Sequence, residues 1–428
     1  MSWFLLNESK IMRFLVLVNA EQIITPASPS EPQRGSDMQK IQIWQNQCIS
    51  IDRQTGKILK IGSWKEVKVS KSEILDAKGT IVLPGFIDSH THPLYSGSRV
   101  DEFLLRAEGK TYMEILKTGG GILKTVQETR KASDEELLNK SSKILFSMLH
   151  HGTTTLEAKT GYGLSEKEEI RQLKLLRQLK RRVPLEIFAT FLGAHAIPKE
   201  YSKKTSAYVR LITEKILPFI SEKKLAHFCD VFCEKGVFSV QQSKKILEKA
   251  KNLGIGIRLH ADEFEPSGGT KLGVALNAYS VDHLMGITEK EISLLAHSKT
   301  AAVLLPCTSL FLGKELYAPA RSLIDRGAIV ALATDFNAGS NLCFSMQMAG
   351  SLGVLKLKMK PEEVLTAATL HGAYALGVSQ KIGSIHPGKQ ADLILLEGKD
   401  YRETFYYFGT NQIKQVIKKG RNVKTNGS

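Results

Sequence analysis

The sequence predicts an α/β chain: a (β/α)8 TIM barrel with a small discontinuous β-sandwich built from its two ends. Three observations carry that prediction. Between residues 85 and 384, short strand-like apolar runs alternate with longer helical ones, the pattern of a parallel sheet wrapped by helices. The strand-like runs number eight and are almost continuously apolar, as expected where both faces of a strand are covered. On either side of that stretch only β-like patterns occur. The expected division is therefore 12–84 with 385–425 as a composite β-sandwich, and 85–384 as the barrel.

Taken in order, the N-terminal segment offers RFLVLVNA, KIQIWQNQCISID, ILKIGSW and TIVLP as strands. A polar Pro/Ser stretch from Thr25 to Asp37 separates the first two and is expected to be a loop. The barrel strands are FIDS from Phe86, TTTLEAK from Thr153, LEIFATFLGAH from Leu185 and FCDVFCE from Phe228. IGIRLHADE from Ile255, SVDHLM from Ser280, TAAVLLPC from Thr300 and IVALATDFN from Ile329 follow. Helices are expected over Asp134 to His150, Glu166 to Arg182, Ser239 to Asn252 and Thr288 to Ala296. Another runs from Pro361 to Leu376, with proline at its first position, where its missing N–H is harmless. From Gly383 the pattern reverts to β in GSIHPGKQADLILLE and QIKQVIKKG, strands expected to return and complete the N-terminal unit.

Composition narrows the class of function. The net charge is +16, but the lysines are spread over helix faces such as Lys167 to Arg182 and Lys244 to Lys251. No basic stripe interleaved with aromatics marks a nucleic-acid surface, so the charge reads as a solvated surface that attracts a small anionic substrate. No apolar run is long enough to span a membrane, and Phe14 to Val18 is too short for a signal-peptide core. Met12 is an alternative start, with the residues before it an extension. Five cysteines without a paired framework point to a reducing compartment, hence a cytoplasmic protein. Cys229 and Cys233 are expected to be small core residues.

Barrel enzymes carry their chemistry at the C-terminal ends of the strands. Five of the eleven histidines fall there: His90 and His92 after the first strand, His195 after the third, His260 at the fifth and His283 at the sixth. Asp335 ends the eighth strand, and Glu263 stands three residues after His260. Two histidines two apart on an extended chain share a face, so His90 and His92 converge on one point. Four N/O ligands from His90, His92, His260 and Asp335 suit Zn2+ or Fe2+ with one position open to water, whose pKa the metal lowers. Glu263, beside His260, is placed to carry a proton to a leaving nitrogen.

At these residues the chain resembles the amidohydrolase superfamily, metal-dependent barrel hydrolases with a flanking β domain. Within it, further motifs resemble the imidazolonepropionase family: Arg99 with Asp101-Glu102-Phe103, GGGI at Gly119 to Ile122, KTGYG at Lys159 to Gly163, and FLGAHAIP at Phe191 to Pro198. DVFCEKGVFS at Asp230 to Ser239, YAPAR at Tyr317 to Arg321 and TDFNAGS at Thr334 to Ser340 extend the likeness, which runs from about Asn19 to Gly420. The resemblance implies hydrolysis of the ring carbon–nitrogen bond of 4-imidazolone-5-propanoate to N-formimidoyl-L-glutamate, the third step of histidine degradation. It implies one Zn2+ or Fe ion per chain on His90, His92, His260 and Asp335, and a homodimer. It also implies that Arg99 pairs with the propanoate carboxylate and that Tyr162, His195, Glu263, Asn337, Gly339 and Ser340 contact substrate or product. His283 is implied beside the metal centre, sharing a proton with Asp335, so that Glu263, His283 and Asp335 form the catalytic set.

One departure stands out: the usual family motif reads Asp-x-Asn-Pro-Gly, and Ala338 holds the proline's place here. Two rival readings use the same scaffold: another cyclic-amide hydrolase or nucleobase deaminase, and a non-enzymatic dihydropyrimidinase-like scaffold protein. The last loses metal ligands that this chain retains. Lys159 and Lys235, near the ends of strands two and four, raise a carboxylated lysine bridging two metals; a structural lysine and a single metal are the expectation.

Overall fold

The structure, a computed structural model, describes residues 12–110, 114 and 120–423. Its N-terminal strands are β1 (Phe14–Val18), β2 (Gln22–Pro26), β3 (Ile41–Trp44), β4 (Cys48–Asp52), β5 (Lys57–Gly62), β6 (Ser72–Asp76) and β7 (Thr80–Pro84). The barrel strands are β8 (Phe86–Asp88), β9 (Thr153–Lys159), β10 (Glu186–Ala194), β11 (Phe228–Cys233), β12 (Gly256–Ala261), β13 (Ser280–His283), β14 (Ala301–Leu304) and β15 (Ile329–Leu332). β16 (Leu393–Glu397), β17 (Ile413–Lys418) and β18 (Arg421–Val423) end the described chain.

The barrel strands hydrogen-bond in sequence order, all parallel, from β8 to β15. Closure is made just beyond the strands: the His92 N–H donates to the Phe336 carbonyl (2.7 Å) and the Asp335 N–H to the His90 carbonyl (3.0 Å). Asp88 on β8 accepts the Thr334 N–H (3.0 Å) and hydroxyl (2.6 Å) across the same seam. Every residue of β9, β13, β14 and β15 is buried; β14 and β15 are wholly apolar, while β9 and β13 bury Glu157, Lys159, Asp282 and His283 as well.

Helices fill the intervals where their period and caps put them. Asp134–His150 and Glu166–Arg182 carry the bounds the sequence predicts. Val240–Asn252 and Glu289–Ala296 begin one residue later than expected, because Ser239 and Thr288 are N-caps completing capping boxes with Gln242 and Glu291. The helix from Pro361 widens into a π turn over Ala367–His371 before ending at Ala375.

The terminal strands form two sheets, β5-β4-β1-β6 and β18-β17-β16-β7-β2-β3, packed through Leu15, Leu17, Ile49 and Ile51 of one against Ile23, Val82, Leu393 and Ile417 of the other. The returning strand β16 pairs antiparallel with β7, which makes this β-sandwich discontinuous. Two expectations are corrected here. The stretch Thr25 to Asp37 is not wholly loop: Thr25 and Pro26 end β2, where Pro26 sits beside the end strand β3, and a 3-10 turn spans Gly35–Gln39. The run KIQIWQNQCISID is two strands rather than one, broken at Asn46, whose φ of 55° reverses the chain.

Candidate active site

The site is built at the barrel seam. His90 and His92 leave β8 with their Nε2 atoms 3.3 Å apart, and Asp335 Oδ1 lies 3.5 and 3.6 Å from them. His260, at the end of β12, packs edge-on to His90 with ring centres 4.5 Å apart. All four are buried. Two imidazole Nε2 atoms facing each other and a carboxylate oxygen repel unless a cation or a proton lies between them. His90, His92 and Asp335 form one group able to hold a metal ion, and His90, His260 and His283 form another. The chemistry and spacing of these donors fit a divalent metal.

The orientation of the two outer rings is fixed from behind. His90 Nδ1 lies 2.7 Å from Asp282 Oδ2, and His260 Nδ1 lies 3.0 Å from Asp230 Oδ2. The Asp282 carboxylate holds His90 as the Nδ1–H tautomer and turns its Nε2 inward, the arrangement that orients a metal-binding histidine, while Asp230 stands at ion-pair distance from His260. Lys159 links them, its Nζ 2.6 Å from Asp230 and 3.7 Å from Asp282, and also reaches Glu157 at 2.8 Å. Arg258 lies 3.4 Å from Asp282 and 3.2 Å from Glu157. Burial works against the charge on Lys159, but Asp230 and Glu157 outweigh it and its pKa is raised. Lys159 is thus a fully engaged cation rather than a carboxylated bridge, and Lys235 is exposed, paired with Glu265 at 3.3 Å. Sequence reasoning gave no role to Asp230, Asp282, Glu157 or Arg258. The available signal was a charge inside an apolar barrel strand, which must find a partner of opposite sign.

Burial, reinforced by nearby cationic groups, lowers the pKa of His90, His92 and His283 well below the ordinary value, so these rings are neutral. Asp335 is raised to about 6 by burial, although the Thr308 hydroxyl donates to it at 2.6 Å. Asp335, His283 and Leu284 all have positive φ, at 54°, 82° and 64°. Such backbone strain in non-glycine residues clusters where side chains must be aimed.

Glu263 lies beyond β12, its backbone N–H donating to Glu234 at 3.0 Å. Burial, with Asp335 and Glu234 adding to it, pushes the Glu263 carboxyl well up. His283 is placed beside Glu263, Nε2 to Oε2 3.8 Å, rather than within ion-pair reach of Asp335. His195 stacks on His92 at 5.1 Å, and its Nδ1 lies 3.3 Å from the Gly161 carbonyl. Since a carbonyl only accepts, Nδ1 carries the proton and Nε2 is left as an acceptor. Burial lowers His195 to about 3. Gly161 is required here: φ is 109° and a Cβ would stand 2.7 Å from His195 Nδ1.

The loop after β15 is held by Asn337. Its Oδ1 accepts from the Gly339 and Ser340 N–H groups and the Ser340 hydroxyl, and its Nδ2 donates to the Asp335 carbonyl. Both ends of that amide are engaged within the loop, so Asn337 and Ser340 shape it rather than present free polar ends. The Ala338 N–H donates to the Tyr162 hydroxyl at 3.4 Å, a bond the proline of the usual motif has no N–H to make. Arg99 lies against this loop, its Nε and Nη2 on Glu102 at 2.9 and 2.6 Å. Gly119 of the GGGI run and the extension before Met12 lie outside the described residues; Gly120 and Gly121 are within them.

A parallel eight-stranded barrel with histidines and an aspartate converging at the C-terminal ends of its strands defines a metal-dependent hydrolase. The amidohydrolase family profile matches residues 81–423. An imidazolonepropionase from Caldanaerobacter subterraneus subsp. tengcongensis is 46% identical over 96% of this chain and 98% of its own length. One from Thermoanaerobacter pseudethanolicus is 46% identical over 94% and 96%, and one from Bacillus cytotoxicus 42% over 96% and 97%. The chain belongs to the imidazolonepropionase family of amidohydrolases. In fold it is also similar to E. coli guanine deaminase, with a TM-score of 0.71 at 17% identity, covering 96% of this chain and 99% of that one.

Proposed function

We propose that the chain hydrolyses the ring carbon–nitrogen bond of 4-imidazolone-5-propanoate to N-formimidoyl-L-glutamate, the third step of histidine degradation. The observation that carries this is the convergence of His90, His92 and Asp335, with His260 packed on His90, at a barrel mouth shared with a clamped, largely buried Arg99, whose side chain is 11% exposed. One end receives an electrophilic ring and the other a short anionic arm. One Zn2+ or Fe ion per chain, held by those four residues, supplies Lewis acidity and acidifies a water when bound. The protein's own groups do the rest. Glu263, a buried carboxyl pushed well up by its surroundings, gives a proton to the departing ring nitrogen. His283, 3.8 Å away, receives the next proton and returns it. His195 Nε2 accepts from a ring N–H, and Arg99 takes the carboxylate. No described helix is long and apolar enough to cross a membrane, and we place the enzyme in the cytoplasm, as a homodimer that binds no nucleic acid.

The test is incubation with freshly prepared 4-imidazolone-5-propanoate, following loss of its ultraviolet absorbance, with chelated protein and protein restored with Zn2+ or Fe2+. Turnover restored by either metal without ammonia release is expected. Ammonia release on a nucleobase, with the imidazolone untouched, would move the chain to the deaminases. Light scattering checks the dimer.

A further inference from the structure

We infer that Glu102 is a specificity-determining positioning residue: it locks the Arg99 guanidinium against Gly339 so that the site measures the length of the substrate's carboxylate arm. The inference rests on Arg99 as the carboxylate receptor.

Arg99 caps the helix Val100–Ala107, and Glu102 stands three residues on, facing inward and 3% exposed. One oxygen of Glu102, Oε2, accepts both Nε (2.9 Å) and Nη2 (2.6 Å) of Arg99. The other, Oε1, accepts the Gly121 N–H at 2.8 Å, where the glycine run enters the helix Ile122–Lys131 with φ of 80°. A single buried carboxylate therefore ties the arginine to the glycine loop. Burial works against its charge, but Arg99 outweighs that and holds the carboxyl below its usual value.

The opposite side of the guanidinium packs closely on Gly339. A Cβ on residue 339 would lie 1.7 Å from Arg99 Nη1 and 2.3 Å from Cζ, so only glycine allows this approach. Arg106, one turn beyond Glu102 on the same helix, donates to the Gly339 carbonyl at 3.2 Å and keeps loop and helix in register. Glu102 occupies the Nε–Nη2 edge. Among the described residues, the edge left for a ligand is Nη1–Nη2, which grips a carboxylate with two parallel bonds. An arginine free to swing would follow arms of different length. One held on two sides cannot, so the distance from the metal centre to that edge becomes a ruler.

Three variants and three probes test this. The probes are imidazoles bearing a propanoate, butanoate or propanamide arm, measured as competitive inhibitors. Ratios taken on one protein cancel any general loss of folded enzyme. The wild type is expected to prefer propanoate over both others. Glu102→Asp keeps the charge but shortens the reach. Gly339→Ala keeps every charge and pushes Nη1 aside. Each should reduce the preference for propanoate over butanoate by about tenfold, the scale of one charged hydrogen bond, with metal content unchanged. Arg99→Ala should abolish the preference for propanoate over propanamide. If Arg99→Ala keeps that preference, the reading of Arg99 falls. If Arg99→Ala loses it while Glu102→Asp and Gly339→Ala keep wild-type arm-length discrimination, Arg99 stands and the clamp is refuted.

Discussion

Replacing Asp282 by asparagine should weaken metal binding from a distance, because Asp282 acts through His90. Four donors converge on this carboxylate: His90 Nδ1 at 2.7 Å, the Ser280 hydroxyl at 2.6 Å, Arg258 at 3.4 Å and Lys159 at 3.7 Å. Asparagine matches the shape but offers one acceptor oxygen and turns an NH2 toward donors. The imidazole then loses the anionic partner that raises its basicity and fixes its tautomer. Changes of this kind cost about 10- to 100-fold in metal affinity, which at about 1.4 kcal/mol per decade is about 1.4 to 3 kcal/mol. The metal-free fold should weaken as well, by about 3 kcal/mol, the low end for removing one partner from a buried charge cluster. The assay is Zn2+ titration against a colorimetric chelator of known affinity, paired with urea unfolding of the metal-free protein. A dissociation constant within twofold of wild type in a cooperatively folded variant would refute the link through His90.

His92→Ala should leave a folded protein with little metal and little turnover, checked by elemental analysis and circular dichroism; full metal occupancy removes His92 from the ligand set. Glu263→Gln keeps size but carries no proton, so turnover should fall about 10²-fold or more with metal content unchanged; near-normal turnover transfers the proton role to His283. Arg99→Lys keeps the charge but loses the two-edged geometry shared between Glu102 and substrate, so the KM for the propanoate substrate should rise about tenfold in steady-state assays. His371, lowered to about 4 by burial, donates Nδ1–H to the Val330 carbonyl (2.8 Å) and accepts the Gln33 N–H (3.0 Å). Its folded pKa lies below the unfolded value of about 6.5, so its stabilising contribution is full above that value and is lost as pH falls toward about 4. About 2 kcal/mol should go between about pH 7 and 5, and His371→Gln should flatten that slope in denaturant unfolding.

Much of this was legible in the chain, and what was not has physical causes. The helices Asp134–His150 and Glu166–Arg182 showed because a capping serine and a continuous 3.6-residue apolar stripe agree at every turn. β2 was hidden because its last residue is Pro26, followed by a Ser/Pro loop, and local chemistry at that end outvotes the apolar Ile23 and Ile24. β6, SEILD, is an edge strand with a polar, largely exposed pattern, so no alternation marked it. The histidines were legible because His-x-His fixes its own geometry. Asp282 and Asp230 were not, because their partners come from other strands and only the barrel's register brings them together. Glu102 carried the i, i+3 spacing to Arg99, a signal that says the two can meet but not that a glycine loop shares the same carboxylate.

The position of the proposed metal centre follows from how the barrel closes. β8 has only three residues and β15 four, too few to seal the seam by their own ladder. The seal is completed by the segments that follow, through the His92–Phe336 and Asp335–His90 backbone bonds and the Asp88–Thr334 clasp. Asp88, pushed up to about 7 by burial, remains hydrogen-bonded to both polar groups of Thr334. The bonds that close the barrel are therefore made by the same residues that carry the ligand side chains. Any slip of register between β8 and β15 would separate His90 and His92 from Asp335 and also leave buried backbone groups unpaired. A shift that disables chemistry here also costs stability, so the ligand geometry is held by the cooperativity of the fold rather than by the side chains alone. His260, on the far side of the mouth, has no share in the seam, and this is where Asp230 and Lys159 supply what closure provides for the others.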